Sequence, residues 1–320
     1  MIDGTGLAME ESAGVIRAVP NPHPWGPVVV NRPTGAERRL LRVVAFNART
    51  GRSLERIAQL LRRPPLANPD IILLSEMDWG MRRSDRRETA AELAAELRMS
   101  FAYIGEFAQR PREGDPVSFV GNAILSNWPL AGVRVLPLAK SLGRRRRLLP
   151  LGAPAGLVAT VTVNRRLLAL GVAHLNSRCN PGGRKLQMAQ YLDDFPQGVP
   201  AIIGGDFNTT TVELSSPASF IKVMALSLLR PNRFRNPQRW EPIFERLRKA
   251  GFDTAGANAS GIPTFTPSRL VPPNVRPKLD WLALRGIKPL AGSAAVVPAR
   301  MSVFSPRFSD HDFIMCVVEA

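Results

Sequence analysis

Three apolar runs in this chain end abruptly in a carboxylate or carboxamide, and a fourth ends in an imidazole. Val43-Val44-Ala45-Phe46 leads into Asn47, and Ile71-Ile72-Leu73-Leu74-Ser75 into Glu76. Leu167 to Ala173 leads into His174, and Ala201-Ile202-Ile203-Gly204-Gly205 into Asp206 and Asn208. Short continuous runs of this kind are those of buried strands. A charged or amide group directly after such a strand is costly unless it is paired, metal-bound or at a solvent rim. Each one alone is an ordinary loop start, because Asp and Asn favour turns. Together, and with His311 placed just before the apolar run at the C-terminus, they point to one site where strand ends converge. Oxygen ligands without thiolates suit a hard cation, Mg²⁺ or Mn²⁺.

The rest of the pattern predicts what carries these strands. Further strands are expected at Phe101 to Ile104, Phe119 to Leu125, Gly132 to Leu138, Leu157 to Val163, near Asp280 to Leu284, and at Phe313 to Val318. Helical spacing covers Leu54 to Leu61, Arg86 to Leu97, Gly183 to Phe195 and Trp240 to Ala250. Strands in hairpin-like runs mixed with strands alternating with helices predict an α/β class. The architecture expected is a four-layer sandwich, two mixed sheets packed face to face with helices outside. Residues 1–38, rich in proline, read as an arm or linker, and 39–320 as one catalytic domain. No Walker glycine loop, heptad run or internal repeat is present.

A net charge of +17 favours anionic partners: phosphates, nucleic acid or an anionic membrane lipid surface. Cys179 and Cys316 match no zinc spacing and read as structural thiols. The N-terminus lacks a basic region before an apolar core, and no apolar run is long enough to span a bilayer. A cytoplasmic, monomeric protein without a protein partner is expected.

The ordered set Phe46-Asn47, Ser75-Glu76, Gly121-Asn122-Ala123-Ile124-Leu125-Ser126, Ala173-His174-Leu175, Gly205-Asp206-Phe207-Asn208, Leu279-Asp280-Trp281 and Ser309-Asp310-His311 resembles the endonuclease/exonuclease/phosphatase superfamily, with its deoxyribonuclease-like fold. The resemblance runs from about Leu40 to the C-terminus, in the manner of an undifferentiated bacterial member. It implies Glu76 as the principal metal carboxylate, with Asn47 and Asp310 helping directly or through water. It implies Asp206 orienting or deprotonating the attacking water, and Asn208 donating to a phosphoryl oxygen. His311 and His174 would flank the phosphate, Asp280 pairing with His311 and Glu106 with His174. A carboxylate partner favours the imidazolium, the form that donates to phosphate.

Asn122, Arg82 and Arg83 are weaker substrate candidates: Asn122 by its place in the motif set, the arginines by following Glu76 closely. Thr264 matches a family position near the cleft wall. The Arg144 to Arg147 run reads as a solvated loop able to steer a polyanion, and His23 as incidental. Val212 to Arg239 reads as an insertion with an apolar helix and basic flank, packing partly buried, capping the cleft or touching lipid. Ser75 before Glu76, and Asp78 after it, depart from the DNA-repair branches. The function expected is a divalent-metal-dependent phosphodiesterase or nuclease using in-line attack by water. The alternatives are a hydrolase of inositol phosphates or phospholipid headgroups, and a non-catalytic nucleic-acid-binding module of the same fold.

Overall fold

The computed structural model describes residues 9–12, 15–18, 27–32, 35–109, 117–138, 151–152, 154–213, 216–268 and 271–320. His23 and the run Arg144 to Arg147 lie outside them. Its strands are β1 Met9–Ser12, β2 Val15–Ala18, β3 Val28–Val30, β4 Leu40–Thr50, β5 Ile71–Trp79, β6 Ser100–Gln109, β7 Ser118–Ser126 and β8 Ala131–Pro137. They continue as β9 Leu151–Gly152, β10 Ala155–Val163, β11 Arg166–Val172, β12 Ala201–Asp206, β13 Asp280–Arg285, β14 Ala295–Val297 and β15 Phe313–Glu319. The α-helices are α1 Leu54–Leu61, α2 Thr89–Leu97, α3 Pro181–Asp193, α4 Pro217–Leu229, α5 Pro231–Arg235 and α6 Ile243–Lys249.

Two mixed sheets result. One runs β1-β2-β3-β6-β7-β5-β4-β15-β14 with β9 on β6, and the other β13-β12-β11-β10-β8. Each contains one parallel pair, β4 with β5 and β11 with β12. Strand parity sorts the side chains into layers. Leu41, Val43 and Ala45 of β4 join Leu168, Leu170 and Val172 of β11 in the core between the sheets. Val44 and Phe46 face the other way, onto α1 and α2. Ala201 and Ile203 of β12 back onto α3 and α6. This is the four-layer α/β sandwich that the patterning predicts.

The described residues of the segment 1–38 contribute β1 to β3, and β3 pairs antiparallel with β6 through Val28↔Tyr103. Helix α2 starts at Thr89 rather than Arg86, because Asp85 and Arg86 both take positive φ, 54° and 59°. The stretch after Asn208, where an insertion with an apolar helix is expected, holds α4 and α5. Helix α4 begins with Pro217 in its first turn and a reciprocal Ser216–Ser219 capping box. It leaves Ile221, Leu228 and Leu229 exposed. Both cysteines are buried and free, and burial pushes the Cys316 thiol up to about 12. No helix among the described residues is long and apolar enough to cross a membrane.

Candidate active site

Parity also positions the polar residues. Asn47, His174, Asp206 and Asp280 continue the inward-facing series of β4, β11, β12 and β13, so they emerge together at one end of the inter-sheet core. The Gly204-Gly205 pair makes this possible. A Cβ on Gly204 would lie 2.8 Å from both Leu73 and Leu282, so glycine lets the sheets approach. Gly205, at φ 135°, would put its Cβ 2.3 Å from the Ala173 carbonyl.

Glu76 breaks the series. By parity with Ile72 and Leu74 it would face the helices. A register shift between Leu74 and Met77, with Glu76 at φ 56°, turns it into the cluster. The Asn47 amide Nδ2 then bridges two acids, donating to Glu76 Oε1 at 3.0 Å and to Asp206 Oδ2 at 3.1 Å. The Asn47 side-chain oxygen Oδ1 accepts from the Arg49 N–H.

The histidines follow a common plan. His311 Nδ1 lies 2.8 Å from Asp280 Oδ2, and its Nε2 lies 3.5 Å from Asp206 Oδ2. His174 Nδ1 lies 3.3 Å from Glu106 Oε2, and its Nε2 lies 3.9 Å from Asp206 and 3.8 Å from Glu76. Burial works against charge on either ring, but the surrounding carboxylates outweigh it and raise both to about 10. Both are therefore imidazolium at neutral pH, with the outer nitrogen a donor. Burial raises Asp206, the His311 charge opposes this, and Asp280 pushes the same way as burial, leaving it at about 6. Glu76 resists its own burial through the His174 charge and the Asn47 hydrogen bond, and stays below the usual carboxylate range.

Glu76, His174 and Asp206 present ligand atoms within 4.8 Å of one another, as do Asp206, Asp280 and His311. With the imidazoles protonated, the acceptors are carboxylate oxygens, and that donor set fits an oxygen-preferring divalent cation. Asp310 lies outside both groups, and its Oδ2 is 3.6 Å from Arg49 Nε. Asn208, at φ 49°, donates from Nδ2 to the Leu175 carbonyl at 2.7 Å, and its N–H donates to Asp206 Oδ1 at 2.9 Å. Asn122 is fully buried and donates to Ala155 O at 3.0 Å, while its Oδ1 makes no hydrogen bond. Arg83 is held in a two-point contact by buried Asp78, at 2.7 and 2.9 Å. The Asp78 charge is thereby compensated within the protein. Arg82 is exposed on the short turn after β5.

Several supporting residues carry weak sequence signals or none. Ser309 Oγ donates to Asn47 O at 2.9 Å and accepts the His311 N–H at 3.1 Å, tying β4 to the histidine segment. A serine two residues before a histidine is the local turn pattern that could have flagged it. Thr264 Oγ1 accepts the N–H groups of Leu279 and Asp280. Arg184 and Glu241, both fully buried, pair at 2.5 Å, and Glu241 also accepts Thr211 N–H at 2.6 Å. That pair fixes the loop following Asn208, and no local pattern in either segment announces it.

Comparison with known proteins identifies the family and the fold. A model of the Endonuclease/Exonuclease/phosphatase family matches residues 44–311. The endonuclease/exonuclease/phosphatase structure from Beutenbergia cavernae is 20% identical with a TM-score of 0.60, covering 88% of this chain and 72% of that one. D. rerio TDP2, solved with a single strand DNA product, is 16% identical with a TM-score of 0.55, covering 88% of this chain and 100% of that one. The human Nocturnin catalytic domain, solved with a bound sulfate, is 16% identical with a TM-score of 0.53, covering 92% and 96%. No curated protein matches the chain in sequence. With a family model matched across most of its length, the chain belongs to the endonuclease/exonuclease/phosphatase family.

Proposed function

We propose that this protein is a divalent-metal-dependent phosphodiesterase that cleaves nucleic acid by in-line attack of water. Its family generally hydrolyses phosphoester bonds, and family and neighbours together support a phosphoesterase or nuclease kind of function. The observation that carries the reading is the facing of Asp206 Oδ2 by the outer nitrogens of two carboxylate-backed histidines, at 3.5 and 3.9 Å. That geometry sets a base between two cationic donors, as attack on a phosphate anion requires.

Asp206 orients the water and takes its proton as the oxygen–phosphorus bond forms. His174 and His311 donate to the non-bridging oxygens, and either can protonate the departing oxygen. Asn208 adds a neutral donor. Asn47 holds Asp206 and Glu76 in fixed relation. Glu76 is the principal residue to hold the cation, with Asp310 at its periphery, and a bound Mg²⁺ or Mn²⁺ would supply charge neutralisation at the phosphoryl group and activation of water.

A substrate panel of DNA, RNA, generic phosphodiesters and inositol phosphates, with metal titration and EDTA, tests this. Turnover that persists in EDTA, or in Asp206→Ala, sinks the mechanism. Preferential turnover of inositol phosphates or phospholipid headgroups would keep the chemistry and replace the substrate. The exposed apolar residues of α4 are the observation that keeps the lipid reading on the panel.

A further inference from the structure

Beside the strand that follows His311 lies a recess of about 330 Å³ walled by Arg276, Arg300 and Arg307, with Asp312 as its one carboxylate. Asp312 is already engaged by Arg307 and by the Ala299 N–H. Arg276 and Arg300 are left as excess positive charge. Arg276 is anchored rather than free to swing, donating from Nε to Val271 O at 2.9 Å and from Nη1 to Thr266 Oγ1 at 3.4 Å. Burial holds it below the usual guanidinium range, the charges of Arg307 and Arg300 push it the same way, and Asp312 opposes them without reversing the shift. Cations gathered around one occupied carboxylate repel one another, and a second anion in the recess would relieve that. Phe304 also lines the recess, yet its ring is 95% exposed, so it stands at the mouth.

The recess shares its wall with the reaction centre. The Thr266 N–H donates to Asp310 O at 2.7 Å, and Arg307 Nη2 donates to His311 O at 3.2 Å. The Phe265 ring, next in sequence to Thr266, lies 4.8 Å from the His311 ring. The two places therefore border one short backbone segment, Asp310 to Asp312.

We infer that this recess is a second phosphate subsite and that, with Phe304 as a stacking platform, it takes a single-stranded polynucleotide segment flanking the bond to be cleaved. The position of that bond rests on the hydrolase reading above. A polynucleotide supplies what the two places need together, successive phosphates with a flat base between them. A bilayer contact asks for a broad apolar patch, whereas among the described residues this recess offers Pro298, Val303 and Phe304 alone.

The test is fluorescence anisotropy of a short labelled DNA or RNA strand, in EDTA and across a salt series. Wild type is compared with Phe304→Ala, Phe304→Trp and Arg300→Ala, each checked for an unchanged unfolding midpoint. Phe304→Ala should weaken binding at least about fivefold, while Phe304→Trp retains it. Arg300→Ala should reduce the salt slope by about 0.7. With metal present, the ratio of kcat/KM for the strand to kcat/KM for a small aryl phosphodiester should fall by a similar factor. Unchanged strand binding in both truncations overturns the subsite. So does binding of wild type to phosphatidylserine vesicles that is lost in Phe304→Ala while strand binding is kept. Failure of wild type to turn over any phosphoester would instead overturn the hydrolase reading, and the anisotropy arm would still decide the subsite.

Discussion

Asp280 Oδ2 lies 2.8 Å from His311 Nδ1, and the opposite ring nitrogen faces Asp206. The acid thereby orients the ring with Nε2 outward and keeps it charged. Asp280→Asn preserves size and a hydrogen-bonding group but removes the charge. It should lower kcat/KM by roughly 10²–10³, with KM little changed, in steady-state assays on whichever phosphodiester the panel identifies. A loss under tenfold would mean that His311 does not act as a charged donor.

Asp206 sits where its ionised form is disfavoured, since burial and Asp280 hold its carboxyl at about 6. An acid with a raised folded-state value contributes most stability while protonated and loses it as pH rises through that value. Asp206→Asn should therefore leave the neutral-pH unfolding midpoint undiminished while cutting kcat by about 10²–10⁴. Thermal melts and single-turnover rates on the same preparation would read both.

The Arg184–Glu241 pair is fully buried, with guanidinium contacts at 2.5 and 3.2 Å. Removing one partner strands the other charge without water. Arg184→Met should cost about 3–5 kcal/mol of stability, measured by urea unfolding. The double variant Arg184→Met/Glu241→Leu should recover part of that loss, because the orphaned carboxylate is gone. Its activity should stay below wild type, since the Thr211 N–H loses its acceptor and the loop after Asn208 loses its anchor.

Lys278 is almost completely buried. Its ammonium donates to Ala259 O at 2.7 Å and sits 4.8 Å from the centroid of the Trp281 ring. Burial lowers it to about 8 from the ordinary 10.5, despite the opposing Asp280 charge. Below about 8 both folded and unfolded chains carry the proton, and the cost of burying it is constant. As pH rises toward the unfolded value the folded chain releases its proton first, so this group's contribution to stability increases. The stability of wild type relative to Lys278→Met should improve by roughly 3 kcal/mol across that window. A difference that stays flat between pH 7 and pH 10.5 would show that the ammonium is not desolvated.

Much of the site is legible in the sequence because strand parity is local. An apolar run that ends at Phe46, Ala173 or Gly205 already determines that the following Asn47, His174 and Asp206 share the inward face. Sheets packed with helices on both outer faces follow from the same alternation, so the layers were readable before any contact was known. The helix α4 was harder, because an apolar segment flanked by arginines reads equally as insertion, cap or lipid contact until its exposed residues are seen.

Tertiary structure alone decided the features that depend on partners remote in sequence. Glu76 is out of phase with its own strand, and only the register shift against β7 turns it toward Asn47. Arg83 follows Glu76 closely in sequence, but its two-point contact with Asp78 is set by the fold. The Arg184–Glu241 anchor and the recess beside Phe304 join segments that share no local pattern. The physical reason is common to all of them. Period and propensity act over a few residues, whereas pairing of charges and relief of buried polar atoms are settled only when distant strands and loops meet.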